Sequence, residues 1–331
     1  MDRPVPYLRI AAATLILAIS LRALCGGIFQ PFAAVWDNPG FLSFLVFLQT
    51  GRSVRLPESA DAPPVSVPRE TTAPSATSAP MEDILVFSPE DLVDVHYFCD
   101  YRPDLAALLQ KPLSWDLTGQ QPTVLILHTH TTEGYTQAPG QTYAETEPYR
   151  TLDPRYNMLS IGDEVARILE SGGIRVIHDR TVHDYPSYND SYGNARHTIQ
   201  KHLQENPQIC LVLDIHRDAS GDNSGQLVTV GTVNGQRSAQ LMMVAGTDTS
   251  GNVHPNWQEN LALALKLSAV LEQTDPGITR PISLREHRFN MDLTPGSLIV
   301  EVGGAGNTHS EAMLAAGALA RAILSLANGS G

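Results

Sequence analysis

Three short runs constrain the fold of this 331-residue chain more than any other feature: VLIL at 124–127, ICLVLDI at 209–215 and SLIV at 297–300. They are apolar almost without interruption, the pattern of strands buried on both faces, and such strands belong to parallel sheets with helices on each side. The intervening segments agree. Met158, Leu159, Ile161, Val165, Ile168 and Leu169 recur at helical spacing and stop at Gly172-Gly173, while Ala195, Ile199 and Leu203 mark a helix that ends at Asn206-Pro207. A third helix is predicted from Trp257 to Leu271, and Thr308 with Glu311, in capping-box spacing, opens a last one. IRVIH reads as a further strand, and QLVTVGTV, Asn234-Gly235 and AQLMMVAGT as a hairpin with a type I′ turn. Repeated β-then-α units predict the α/β class over residues 94–331, with a mostly parallel twisted sheet flanked by helices.

The first 93 residues differ in character. Arg3 and Arg9 precede an apolar stretch from Ile10 to Phe29 whose only charge is Arg22. A helix of about 20 residues crosses a bilayer, and positive residues ahead of it favour a cytoplasmic N-terminus. The small residues of ALCGG also allow a cleaved signal peptide, and either reading exports the rest of the chain. FLSFLVFL at 41–48 is too short to span. Residues 51–80, rich in Pro, Ser, Ala and Thr, hold too few large apolar side chains to offset the entropy of folding and read as a tether. The expected organisation is a membrane anchor and juxtamembrane segment (1–50), a linker (51–93) and one folded domain outside the cytoplasm, held at the cell membrane by a single transmembrane helix.

The formal charge of −13 argues against nucleic acid as a partner, since neutralising phosphates takes clustered Lys and Arg. Cys25, Cys99 and Cys210 form no CxxC pair, which excludes a thiolate zinc knot and a dense disulfide framework. Pairing of Cys99 with Cys210 and free buried thiols both stay open.

The three strands end alike. VLIL runs into His128-Thr129-His130, ICLVLDI into His216-Arg217-Asp218, and SLIV into Glu301. In a parallel sheet these tips gather on the edge where α/β proteins bind ligands. Catalytic zinc commonly takes three protein ligands from His and carboxylate and leaves a position for water. His130 and His216 are the imidazole candidates. Glu133, in an HxxE arrangement with His130, and Asp153, ahead of the helix near Asn157, compete for the third place, with helix capping as the alternative role for Asp153. Glu301 lies within an apolar strand, where an unpaired carboxylate is costly, so either it pairs with a cation such as Arg217 or it is the base that takes a proton from water. His128 either ligates, orients a ligand or bonds the backbone. The other histidines are expected mostly in solvent. His183 to Arg196, HDYPSYNDSYGNAR, gathers three tyrosines suited to a polar polymer with apolar faces, or is simply a turn-rich loop.

VLILHTHTTEGY, VIHDRTVHDYPSYNDSYGNAR, VLDIHRDA, GTDTSGNVHPNW and LIVEVGGAGNT, in this order, closely resemble the stage II sporulation protein P family of cell-wall hydrolases. The resemblance covers about residues 94 to 327. It implies a zinc-dependent N-acetylmuramoyl-L-alanine amidase that cuts between muramic acid and the stem peptide, with peptide cross-links as further targets. It also implies a stage II sporulation protein D-like transglycosylase as partner, and a role in septal wall thinning and engulfment of the forespore. His130 and His216 then take the places of the ligand histidines, Glu301 that of the catalytic glutamate, and Arg217 serves as oxyanion donor. The related amidases carry a ligand glutamate four residues before an Asn, where this chain has Asp153 before Asn157, so Glu133 and Asp153 both stay in play. Two rival enzymes fit less well: a barrel amidohydrolase often adds a bridging lysine, and none of the three lysines follows an apolar strand, while a β-lactamase-like HxHxDH site meets Thr132 and Glu133 at its Asp and His places. The alternative of a different class is a metal-free wall-binding module in which the three tips form only a polar network.

Overall fold

The computed structural model describes residues 93–113, 115–219, 221–222 and 225–329. The stretches read as anchor, juxtamembrane patch and Pro-rich tether lie outside the described residues. In chain order the elements are β1 (Val95–Phe98), α1 (Leu105–Gln110), β2 (Val124–Leu127), α2 (Met158–Ser171), β3 (Val176–His178), α3 (Ser191–Glu205) and β4 (Leu211–Asp218). There follow the short strands β5 (Gly221–Asp222), β6 (Gly225–Gln226), β7 (Gly231–Val233) and β8 (Gln236–Ser238), then β9 (Leu241–Gly246) and α4 (Trp257–Thr274). The described chain closes with β10 (Ile282–Arg285), a 3₁₀ turn at Met291–Leu293, β11 (Ser297–Gly304) and α5 (His309–Asn328).

One seven-stranded sheet runs in the order β1-β10-β9-β11-β4-β2-β3. Every neighbouring pair is parallel except β9 with β11, so the sheet consists of two parallel blocks that meet head to tail. The mostly parallel α/β architecture matches the expectation, and β2, β4 and β11 are parallel and adjacent, as convergence of their tips requires. One expectation is corrected. Asn234 (φ 50°) and Gly235 (φ 75°) do turn a hairpin, but it joins only β7 to β8. The apolar run after it, β9, enters the main sheet beside β11 instead of folding back on the hairpin. Its six residues are all buried, and neighbouring strands and helices cover them better than a two-stranded ribbon would.

The period-two alternation of strand side chains divides the core between two faces. Val124 and Ile126 of β2, with Leu213 and Ile215 of β4, pack into the large cluster under α2, α4 and α5. Leu125, Leu127 and Val212 face the other way, onto Ala195 and Ile199 of α3. A third cluster on β9 and β11, Met242, Val244 and Ile299, is closed by Met291, with Tyr192 and Phe289 packed against it.

Local chemistry sets the helix ends. The Asn157 side chain accepts the Leu159 N–H and caps α2, and Thr308 with Glu311 forms the reciprocal capping box of α5. Among the described residues α5 is the helix long and apolar enough to cross a membrane, yet half of its apolar window is buried within the protein, where it packs as a core helix. Cys99 and Cys210 are free thiols.

Candidate active site

β4 and β11 pair in parallel with Glu301 directly opposite His216. Val212, Asp214 and His216 alternate onto the α3 face of β4, and Ile299 and Glu301 follow the same alternation on β11. The ladder loses register just after Glu301, between it and Gly304, the kind of irregularity that ends pairing and re-aims side chains beside active sites. β2 delivers the remaining parts. Past Leu127 the chain turns tightly, with the Glu133 N–H donating to the His130 carbonyl (3.1 Å). The His130 and His216 rings then stand perpendicular, 5.3 Å apart at their centroids, and His216 Nδ1 lies 3.7 Å from Glu133 Oε2. His130, Glu133, His216 and Glu301 are therefore neighbours in space. Asp153 is otherwise engaged: its carboxylate holds the exposed guanidinium of Arg155 (2.6 Å), and the cap of α2 is Asn157 rather than Asp153.

The cluster is largely buried and unevenly charged. His130, Glu133, His216 and Arg217 are all buried. Glu301 keeps some exposure as a residue, but its Oε2 is buried without a hydrogen-bond partner. Burial raises the Glu301 carboxyl to about 8; the His216 charge opposes this, and Glu133 and Asp218 reinforce it. Burial likewise lowers His130 to about 4, against the pull of Glu133. For His216 burial also works against the charged form but loses to the Asp214 and Glu133 carboxylates, and its pKa is raised. Asp214 is held low in turn: burial pushes it up, while His216 and the Thr129 N–H (2.7 Å) and hydroxyl (2.6 Å) outweigh that push. His216 Nε2 sits 2.9 Å from Asp214 Oδ1 but out of line for a hydrogen bond, so the contact is a close ion pair and not an oriented bond.

Arg217 is engaged with Glu133 and the loop behind it, and its charge also acts on Glu301. Its backbone N–H donates to Glu133 Oε2 (3.1 Å), Nη1 to Glu133 Oε1 (3.2 Å), Nε to the Gly134 carbonyl (3.1 Å) and Nη2 to the Tyr149 carbonyl (3.2 Å). So placed, it fixes Glu133 and the loop behind it. Arg150 adds a second cation, with Nη2 3.5 Å from Glu133 Oε1 and Nη1 2.7 Å from Asp184 Oδ2.

Zinc can be tested against these residues. Among the described residues no three His, Cys, Asp or Glu side chains converge on one point as metal ligands. The donor chemistry nevertheless fits: two imidazoles and a carboxylate lie side by side, and His130 Nδ1 is a buried nitrogen without a hydrogen-bond partner. Leaving such an atom unsatisfied is costly, and a cation relieves it.

A family model for stage II sporulation protein P matches residues 68–324. The chain belongs to the stage II sporulation protein P family. It is 29% identical over 224 residues to stage II sporulation protein P of Bacillus subtilis (strain 168), covering 64% of this chain and 52% of that protein. The chain thus spans about half the length of the curated relative it matches. Among solved structures it is similar to the CwlD amidase of Clostridioides difficile in complex with the GerS lipoprotein, with 13% identity and a TM-score of 0.40 over 62% of this chain and 98% of that one. It is also similar to an N-acetylmuramoyl-L-alanine amidase of Clostridium difficile 630, with 16% identity and a TM-score of 0.37 over 64% and 100% of the two chains.

Other residues of this stage II sporulation protein P family member bear on the sequence reading. His128 takes one of the roles expected of it, bonding the backbone: Nδ1 donates to the Ile215 carbonyl and Nε2 meets His178 Nε2, each at 2.9 Å. Of the histidines expected in solvent, His183 and His254 are buried, and His178, His202 and His309 all make side-chain hydrogen bonds. Asp214 was signalled by its place two residues before His216 on a strand, which puts both on one face. Arg150 and Asp184 carried no local signal, because only the tertiary fold joins them.

Proposed function

We propose that this protein is a zinc-dependent peptidoglycan hydrolase that cleaves the amide between N-acetylmuramic acid and the L-alanine of the stem peptide. The observation that supports this most is the register of β4 and β11, which sets Glu301 against His216 beside His130 and Glu133. His130, His216 and Glu133 would hold the ion, which supplies Lewis-acid polarisation of the amide carbonyl and of the attacking water. Arg217 and Arg150 keep the Glu133 carboxylate in place. Glu301 takes a proton from water and passes it to the leaving amide nitrogen. Burial raises the Glu301 carboxyl, which favours its holding the proton between the two halves of that transfer, while the charge of a bound ion would favour the carboxylate that takes it up. Action outside the cytoplasm from an anchor at residues 10–29, in thinning the septal wall during sporulation, belongs to the same reading.

Digestion of purified peptidoglycan by the zinc-supplied protein, followed by mass spectrometry of the products, tests this. The expected products are stem peptides with a free L-alanine amino terminus and intact glycan strands with bare muramic lactyl carboxylates. Separated cross-links with the muramic–alanine amide intact would mean an endopeptidase instead. Binding without any product would mean a wall-binding module.

A further inference from the structure

A ligating imidazole is usually oriented by a hydrogen bond from its second ring nitrogen to a carboxylate, a carbonyl or water. Among the described residues no protein group hydrogen-bonds either ring nitrogen of His130, so whichever nitrogen holds the ion, the other lacks a protein partner. Aromatic rings surround it instead. Tyr188 lies parallel to it within 5°, 4.5 Å away between centroids, and Tyr192 meets it edge-on at 88° and 5.6 Å. Tyr188 stands on the connection between β3 and α3 and is half exposed, so stacking on His130 needs a clamp. Arg150 provides one, with its guanidinium carbon 4.8 Å from the Tyr188 ring centroid. Arg150 is itself fixed by Asp184, whose fully buried side chain also accepts the Thr132 N–H (3.1 Å) and hydroxyl (2.7 Å) two residues from His130.

From this arrangement we propose that Tyr188 is a positioning residue for His130: stacked on the imidazole and clamped by Arg150 and Asp184, it sets the ring plane in place of a hydrogen bond. The inference rests on the reading of His130 as a zinc ligand. Stacking needs the ring and not the hydroxyl, so Tyr188→Phe keeps the function and Tyr188→Ala loses it. The half-exposed side chain adds little to the core, and both variants are expected to melt with the wild type in the metal-free state.

The test is zinc affinity of the full chain by competition with a chromogenic chelator, beside thermal melting of the metal-free forms. Tyr188→Ala is expected to weaken zinc binding about 10- to 100-fold, the range for losing an outer partner of a metal ligand, with Tyr188→Phe unchanged. Equal affinities for wild type and Tyr188→Ala overturn the proposal while leaving the metal site standing. Loss in Tyr188→Phe as large as in Tyr188→Ala overturns it too, because the hydroxyl would then be responsible. A wild type that takes up no zinc overturns the ligand reading of His130 and this inference together.

Discussion

Glu301→Gln is expected to lower turnover of peptidoglycan by about 10²- to 10⁴-fold, the usual contribution of a positioned general acid–base group, with little change in substrate affinity. The amide has nearly the volume of the carboxyl and cannot accept and return a proton. Glu301 is not among the residues assigned to the ion, so the variant should still take up zinc, which separates this loss from loss of the site. Folding should survive the change, because Glu301 Oε2 has no hydrogen-bond partner to forfeit and the wild-type carboxyl is itself costly to ionise there. The check is steady-state release of stem peptide by wild type and variant alongside zinc content. Undiminished turnover by the variant would remove Glu301 from the chemistry.

The second large effect is on stability. Asp184→Ala removes the acceptor of the Thr132 N–H and hydroxyl and leaves the Arg150 guanidinium, 12% exposed, without its 2.7 Å partner. Breaking a buried ion pair by deleting one member costs about 3–5 kcal/mol, chiefly from the charge left behind. Arg150 keeps its contact with Glu133 at 3.5 Å and its stacking on Tyr188, so the expected loss lies at the low end, about 3 kcal/mol. Denaturant unfolding measures it, and a double-mutant cycle with Arg150→Ala isolates the pair, because the second deletion removes the stranded charge. A loss within about 0.5 kcal/mol, as for an ordinary surface substitution, would show that water satisfies both groups.

The sheet was legible where the chain carries unbroken apolar runs. VLIL, ICLVLDI and SLIV became β2, β4 and β11, adjacent and parallel, and their polar tips meet as the sequence predicts. The antiparallel junction of β9 with β11 was not legible, because an apolar run such as LMMVAG has the same pattern in either direction. β1 and β10 were missed because four residues of VHYF or ISLR give too short a period to stand out. At the site, His130, His216 and Glu301 follow from their places at strand ends. That Glu133 rather than Asp153 lies beside His216 required the structure, since both lie near a turn and only tertiary contacts show one carboxylate facing His216 and the other on Arg155. Arg217 was visible as a neighbour of His216, but not its work: the backbone on which its donors act, at Gly134 and Tyr149, is more than 60 positions away in sequence.

Anomalous diffraction at the zinc edge, on crystals grown with zinc supplied, tests most directly whether these residues form one metal centre. A single peak in contact with His130 and His216, with Glu133 as third ligand and Glu301 beside it, is the predicted result. A peak bound elsewhere, or none near the two imidazoles, would contradict it.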